Sequence, residues 1–256
     1  MQTLIQVETP TDGVMLLSLN RPEKRNALNN ATLQYLCDLL EQAEHDAQVK
    51  VVVLTDSNCF AAGADLSELA AMDAVSLQLD IRPKLWQKID SFSKPIIAAV
   101  NGYALGAGFE LVLHSDMVIC GDNAKFALPE IGLGMLPGAG GTQRLARLVG
   151  QQLTMRWAMT GEMIPAQQAQ QHGICSEVVP AALTVEYAIQ LASKIAKQAP
   201  LAIQMIKQSI KSIHETTLSQ GLKSERQNFV WLAATKDRNE GINAFFEKRK
   251  PVFRGE

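Results

Sequence analysis

One stretch limits the folds open to this chain more than any other: Pro95-Ile96-Ile97-Ala98-Ala99-Val100-Asn101-Gly102-Tyr103-Ala104-Leu105-Gly106-Ala107-Gly108-Phe109-Glu110. The apolar run is bounded by Pro on one side and Asn-Gly on the other, the pattern of a buried strand and its exit turn. Small residues from Leu105 to Gly108 then lead into Phe109-Glu110-Leu111-Val112-Leu113, which reads as a helix. A strand that ends in small residues at a helix start leaves backbone N–H groups free, backed by the positive end of the helix dipole. Something negative should sit there. Glu110 lies about one turn into the apolar helix. A buried, unpaired carboxylate is expensive, so its presence calls for an explanation.

The bulk numbers set wide limits around this stretch. A chain of 256 residues can bury roughly 70–75% of its unfolded surface and needs no covalent staples. A net charge of −2 argues against nucleic-acid binding by bulk electrostatics. Cys37, Cys59, Cys120 and Cys175 form no CxxC pair and the histidines show no HExxH spacing, so neither a disulfide framework nor a metal site is expected. No charged-then-apolar leader precedes Leu4-Ile5-Gln6-Val7, and no apolar run approaches the ~20 residues of a membrane span. A cytoplasmic protein with no membrane association is the expectation.

Along the chain, Leu4–Val7 and Val14–Leu19 read as a hairpin. The polar, basic loop from Asn20 to Asn29 is either a solvated turn or a phosphate-facing loop. Asn30 could cap a helix whose apolar stripe is Leu33, Leu36, Cys37, Leu40 and Ala43. Val51–Thr55 is a buried strand. Cys59-Phe60-Ala61-Ala62-Gly63-Ala64-Asp65-Leu66-Ser67-Glu68-Leu69 repeats the logic of the opening stretch, a small-residue turn running into a helix. Asp65 reads equally as an early-helix acid serving the dipole. An amphipathic segment from Ser76 to Phe92 is interrupted by Pro83. Beyond the short strand Met117–Cys120, Glu130 stands among apolar neighbours, although a glutamate after Pro at a helix start is common. Five glycines and one proline then lie between Gly132 and Gly141, so that loop must be conformationally unusual. Helices are expected over 142–149, 151–159 and 165–171, and a last strand at 177–179. From about Val185 the pattern is helical only, ending in the aromatic, basic Phe245-Phe246-Glu247-Lys248-Arg249-Lys250. That apolar helical end suits packing on another subunit or on its own body. Strand–strand–helix units recur without a fixed period.

Familiar nucleotide and nucleophile motifs fail. GxGxxG is absent, a Walker loop lacks its Lys before Thr142, and no GxSxG elbow exists. What survives is two amide-bearing turns, at Ala64 and Ala107, and two isolated carboxylates, Glu110 and Glu130. Two amides converging on a thioester oxygen would stabilise a forming enolate, one donor being worth ~2.7–4 kcal/mol. Two carboxylates could hold a water and move its proton, with desolvation shifting their pKa values into a useful range.

The segments FAAGADLSEL, KPIIAAVNGYALGAGFEL, FALPEIGLGMLPGAGGTQRL and INAFFEKRK, in that order and spanning nearly the whole chain, resemble the enoyl-CoA hydratase/isomerase (crotonase) superfamily. The resemblance implies an α/β crotonase fold: a spiral of β-β-α units (1–195), followed by a C-terminal helical oligomerisation region (196–256). It implies an acyl-CoA thioester substrate, no cofactor beyond the coenzyme A of that substrate, and homotrimers commonly paired into hexamers. By position, Ala64 and Ala107 supply oxyanion-hole amides, Glu110 and Glu130 are the catalytic carboxylates, and the Gly138 amide helps place water. The Arg21–Leu28 loop, with Lys24 and Ala27, faces coenzyme A together with Asp65 and Leu66. Phe245 and Lys248 approach its nucleotide end, across a subunit contact. Two departures stand out: Ala107 where many hydratases have Gly, and Ser67 where Lys is frequent. Members that only isomerise often lose the carboxylate at Glu110, so hydration is favoured over isomerisation, while the near-neutral net charge and the lack of a basic-aromatic stripe count against the RNA binding of some relatives. LNRPEKRNALNN and AQQAQQHG look like the bacterial hydratases of phenylacetate breakdown. Their substrate ends in a carboxylate, for which Arg82, Lys84, Arg144 and Arg156 are candidate partners. Each reads equally as a surface charge.

Overall fold

The computed structural model describes residues 3–56 and 59–256. The chain opens with the expected hairpin, β1 (Ile5–Thr11) pairing antiparallel with β2 (Val14–Leu19). Next comes α1 (Asn30–His45), whose cap is Asn29 rather than Asn30. The Asn29 side chain accepts the Thr32 N–H at 2.8 Å, while the Asn30 N–H goes to Glu68. All five residues of the expected stripe on α1 are buried. There follow β3 (Val51–Thr55), α2 (Leu66–Leu69), α3 (Ala74–Gln78) and α4 (Arg82–Ser91). Pro83 sits in the first turn of α4, where its missing N–H removes no helical bond, so the break in this segment falls before the proline.

The middle of the chain runs β4 (Ile96–Val100), β5 (Tyr103–Leu105), α5 (Ala107–His114), β6 (Met117–Gly121), β7 (Lys125–Ala127), a 3₁₀ turn (Pro129–Leu133), α6 (Gly141–Val149) and α7 (Gln151–Thr160). It continues through β8 (Ile164–Pro165), α8 (Ala166–Gln171), β9 (Glu177–Val179) and α9 (Thr184–Ala196). Then come α10 (Pro200–Lys211), α11 (Leu218–Leu232) and α12 (Lys236–Phe246).

The large sheet has the order β1-β2-β3-β4-β6-β9 and is parallel except for β1. Every residue of β3 and β4 is buried, which is why these strands read as continuous apolar runs. Alternate side chains point to opposite faces. Val51, Val53, Ile97, Ala99 and Ile119 meet Ala188, Ala192 and Ala196 of α9, whose small residues let the helix lie close. Val52, Leu54, Ile96, Ala98 and Val100 face the larger core with Leu36, Phe109 and Phe126.

A second sheet, β5-β7-β8, lies beyond the carboxyl ends of these strands. Isolated parallel bridges Leu28↔Ala64 and Ala61↔Ala104 extend it toward the 59–64 turn. The repeating unit is a core strand that runs on into a short second-layer strand and then a helix, as in β4–β5–α5. This is the expected spiral of β-β-α units.

The helices after α9 are different. Among the described residues beyond Pro200, Asp237 and Ala244 alone are buried, while Phe229, Trp231 and Phe245 are largely exposed. The expected boundary between residues 195 and 196 falls at the last residue of α9. Two lysines fasten α10 to the spiral: Lys207 donates to Asp116 Oδ2 and to the Lys94 carbonyl, both at 2.7 Å, and Lys211 to Asp90 Oδ1 at 2.8 Å.

Candidate active site

Two turns meet at the carboxyl ends of β3 and β4. The 61–64 turn is tied to β5 by Ala61 N–H donating to the Tyr103 carbonyl (3.0 Å) and Leu105 N–H to the Ala61 carbonyl (2.9 Å). Their approach is too close for a side chain between them: a Cβ at Gly108 would stand 2.4 Å from the Ala61 carbonyl oxygen. Leu28 N–H donates to the Gly63 carbonyl, and Asp65 N–H to the Leu28 carbonyl. In a parallel bridge those two bonds bracket Ala64, so its own N–H points away from Leu28. Ala107 is the first residue of α5, where an N–H has no acceptor within the helix. Gly63 and Gly106 bring the two amide-bearing turns together, a Cβ on Gly106 lying 3.8 Å from Gly63 Cα. Gly106 has φ +49°, a conformation that excludes most side chains.

The two carboxylates are treated differently. Glu110 is 2% exposed, yet it is not unpaired as the sequence suggested: its Oε1 accepts the N–H groups of Ala139 (2.7 Å) and Gly141 (2.8 Å). These amides form the N-terminus of α6, so the acid meets the positive end of a neighbouring helix. Each bond to a charged acceptor contributes roughly 1.5–3 kcal/mol, against a desolvation cost of several kcal/mol. Desolvation prevails, and Glu110 titrates above the ordinary carboxylate range despite the amides. Gly141 must be glycine here, because a Cβ would press on Pro137, Leu128 and Glu110 Cγ at 2.9–3.1 Å.

Glu130, from the 3₁₀ turn, has a buried Oε2 with no hydrogen-bond partner among the described residues. Burial first, and then repulsion from Glu110, raise its pKa to about 7. Its Oε1 would be 2.8 Å from a Cβ on Gly106, so the carboxylate sits directly against the Ala107 turn. One acid thus accepts from two amides, while the other has a buried oxygen without a hydrogen-bond partner among the described residues and lies against the Ala107 turn.

A family model described as enoyl-CoA hydratase/isomerase matches residues 9–256. The chain belongs to the enoyl-CoA hydratase/isomerase family. It is 56% identical over 243 residues to the 2,3-dehydroadipyl-CoA hydratase of Escherichia coli K12, covering 94% of this chain and 95% of that protein. It is 43% identical over 242 residues to the mitochondrial enoyl-CoA hydratase of Pongo abelii, covering 94% and 83%. Among solved structures, the enoyl-CoA hydratase of Bacillus anthracis superposes with a TM-score of 0.95 at 39% identity, covering 99% of this chain and all of that one.

In this enoyl-CoA hydratase/isomerase family member the remaining expected residues fall into place unevenly. Asp65 is the cap of α2 and is ion-paired with Arg21 at 3.0 Å. The Ser67 hydroxyl and the Arg21 guanidinium hold its carboxyl below the usual range. Its side chain is thus occupied within the protein. Arg21 also donates to the Ala27 carbonyl, which braces the loop carrying the exposed Lys24. Leu66 is half exposed. Gly138 is exposed, and the donors to Glu110 come from its neighbours rather than from it. Phe245 is exposed at the end of α12, and Lys248 follows with φ +53°.

Of the four candidate cations, Arg82 is committed to Asp80, Glu68 and Asn30, Arg156 pairs with Glu162 on the surface, and Lys84 is exposed. Arg144 lines a cavity of about 970 Å³ that adjoins Gly138, Ala139 and Gly140, but whose walls exclude both glutamates. Asn26, a buried residue at φ +55°, bonds Arg21 N, Asp56 and the Cys59 carbonyl and so joins the loop to the 59–64 turn. Only its place in a basic loop hinted at it. Among the described residues no group of three or more His, Cys, Asp or Glu could hold a metal ion. No helix among them is long and apolar enough to cross a membrane.

The Glu130 carboxyl should therefore titrate near 7 by carbon-13 NMR of glutamate-labelled protein. In Glu110→Gln the value should fall, because the repulsion is gone, yet stay above 4.5, because burial remains the larger cause. An unchanged value in that variant would separate the two carboxylates.

Proposed function

We propose that this chain is an enoyl-CoA hydratase, adding water syn across the double bond of a trans-2-enoyl-CoA to give a 3-hydroxyacyl-CoA. The thioester oxygen would accept from the Ala64 and Ala107 amides as the enolate forms. Each such donor supplies ~2.7–4 kcal/mol at the transition state. Glu110 would take a proton from the water attacking Cβ, and Glu130 would give one to Cα. The Gly138 amide would help place that water. One proton enters the site with the water and one leaves to carbon, so a pair holding a single proton between them suits the reaction. The observation that carries this reading is the contrast within the pair, Glu110 accepting from two amides and Glu130 held near 7 with a buried, unpartnered oxygen. Isomerisation alone has no use for the Glu110 arrangement.

By likeness to the E. coli protein, 2,3-dehydroadipyl-CoA is the proposed substrate, and the role in phenylacetate breakdown is part of the same proposal. The cavity beside Gly138 is lined by Arg144, which is paired with Asp90 at 2.9 Å and would have to turn from it to seat the distal carboxylate. Lys24, Ala27 and Leu66 would line the coenzyme A path. The exposed apolar faces of α10 to α12 support a division into a spiral (1–195) and a trimerisation region (196–256). In a trimer or hexamer, Phe245 and Lys248 would reach a neighbour's nucleotide end. The expected cytoplasmic location belongs to this proposal as well.

Glu110→Gln and Glu130→Gln should each lower hydration turnover by orders of magnitude with little change in CoA-ester affinity. Near wild-type hydration in either variant would contradict the assignment. Across crotonyl-, longer-chain and 2,3-dehydroadipyl-CoA, kcat/KM should be highest for the last. Parity with crotonyl-CoA would leave the hydratase reading standing and remove the substrate assignment.

A further inference from the structure

A second buried titratable side chain lies beside Glu110 on α5. His114, the last residue of α5, is 6% exposed and lies four residues after Glu110, on the same face of the helix. Its Nε2 stands 3.0 Å from the Ala139 carbonyl oxygen. A carbonyl only accepts, so Nε2 carries the proton and donates. Ala139 is also the residue whose N–H donates to Glu110 at 2.7 Å. Helix α5 therefore grips Ala139 at both ends, Glu110 taking the N–H and His114 the C=O.

The loop needs such a grip. Ala139 sits between Gly138, around whose missing Cβ nothing lies within 4 Å, and Gly140 at φ +97°. Residues 131–136 before it are exposed. Glycines on both sides leave these peptides free to rotate unless something holds them.

The imidazole is itself held. Trp86 of α4 stacks on it with centroids 5.1 Å apart and planes at 24°. Asp90, one turn further along α4, faces Nδ1 at 3.7 Å. Asp90 in turn accepts from Arg144 of α6 (2.9 Å) and from Lys211 of α10 (2.8 Å). The facing His114 imidazole first, then Lys211 and Arg144, hold its carboxyl well below the usual range, so it stays ionised.

We propose that His114 is a positioning residue for the water-activating carboxylate: by fixing the Ala139 peptide it keeps two amides aimed at Glu110 Oε1, with Trp86 stacked against the ring. This rests on the reading of Glu110 as the base that activates water.

The test compares His114→Leu and His114→Gln with Glu110→Gln, in the full-length protein. Two reactions are followed: hydration of crotonyl-CoA, and exchange of Cα hydrogen of butyryl-CoA with deuterated water. Exchange needs the Ala64 and Ala107 amides and Glu130, which removes the Cα proton and returns a deuteron, but it needs no activated water. His114→Leu should lower hydration kcat roughly ten- to hundredfold, the scale of a small misplacement of a reacting group. KM should change little, and exchange should stay near the wild-type rate. His114→Gln, whose Nε2–H can still reach the Ala139 carbonyl, should recover much of the loss. If Glu110→Gln is inactive while His114→Leu hydrates normally, the positioning role is wrong and Glu110 stands. A parallel fall of hydration and exchange without rescue by Gln would mark His114 as merely structural and overturn the proposal. Normal hydration by Glu110→Gln would remove the reading beneath it.

Discussion

The closeness of two backbone turns governs this molecule. The 61–64 segment and the 104–108 segment run side by side at a separation that forbids a Cβ on Gly108, which would stand 2.4 Å from the Ala61 carbonyl oxygen. From that contact the rest follows. It sets the Ala64 and Ala107 amides next to each other, and it fixes the start of α5. Glu110, one turn along that helix, is thereby aimed at the N-terminus of α6. The same turn leaves room at Gly106 for the Glu130 carboxylate. The large parallel sheet, buried on both faces, supplies the rigid base that delivers both turns at the ends of adjacent strands.

The two glutamates sit in different electrostatic settings. Both are desolvated, and desolvation raises the pKa of each. The amides of Ala139 and Gly141 oppose it at Glu110, so that this acid has partners for its charged form. Among the described residues Glu130 has no such partner for Oε2, and it is repelled by Glu110. The two environments thus differ, and that difference underlies the complementary acid and base roles proposed for the pair.

Much of this was legible in the sequence because it is written in backbone requirements. Runs such as Ile96–Val100 announce fully buried strands, and glycines clustered at strand ends announce free amides. The α1 stripe and the last strand at 177–179 are local patterns, and the structure keeps them. The misses share a cause. The cap at Asn29 instead of Asn30 is a one-residue choice made by the Thr32 N–H, which neighbouring asparagines do not reveal. The short strands β5, β7 and β8 carry too few residues for a period of two to register. Glu110 seemed unpaired because its donors are backbone amides 29 and 31 residues away, and an amide leaves no trace in residue type. Asn26, His114 and Asp90 act through contacts between distant elements, and nothing local distinguishes them from ordinary core or surface residues.

In the proposed complex one thioester oxygen is held by the amides of Ala64 and Ala107 while the substrate's Cα and Cβ lie between Glu130 and Glu110. A crystal structure of the protein with a saturated, unreactive acyl-CoA bound tests this most directly. The account predicts the thioester oxygen about 2.7–3.1 Å from both amide nitrogens, with Glu130 against Cα and Glu110 reaching Cβ through a water. An oxygen bound by only one of these amides, or an acyl chain lying in the Arg144 cavity with neither glutamate near the thioester, would contradict it.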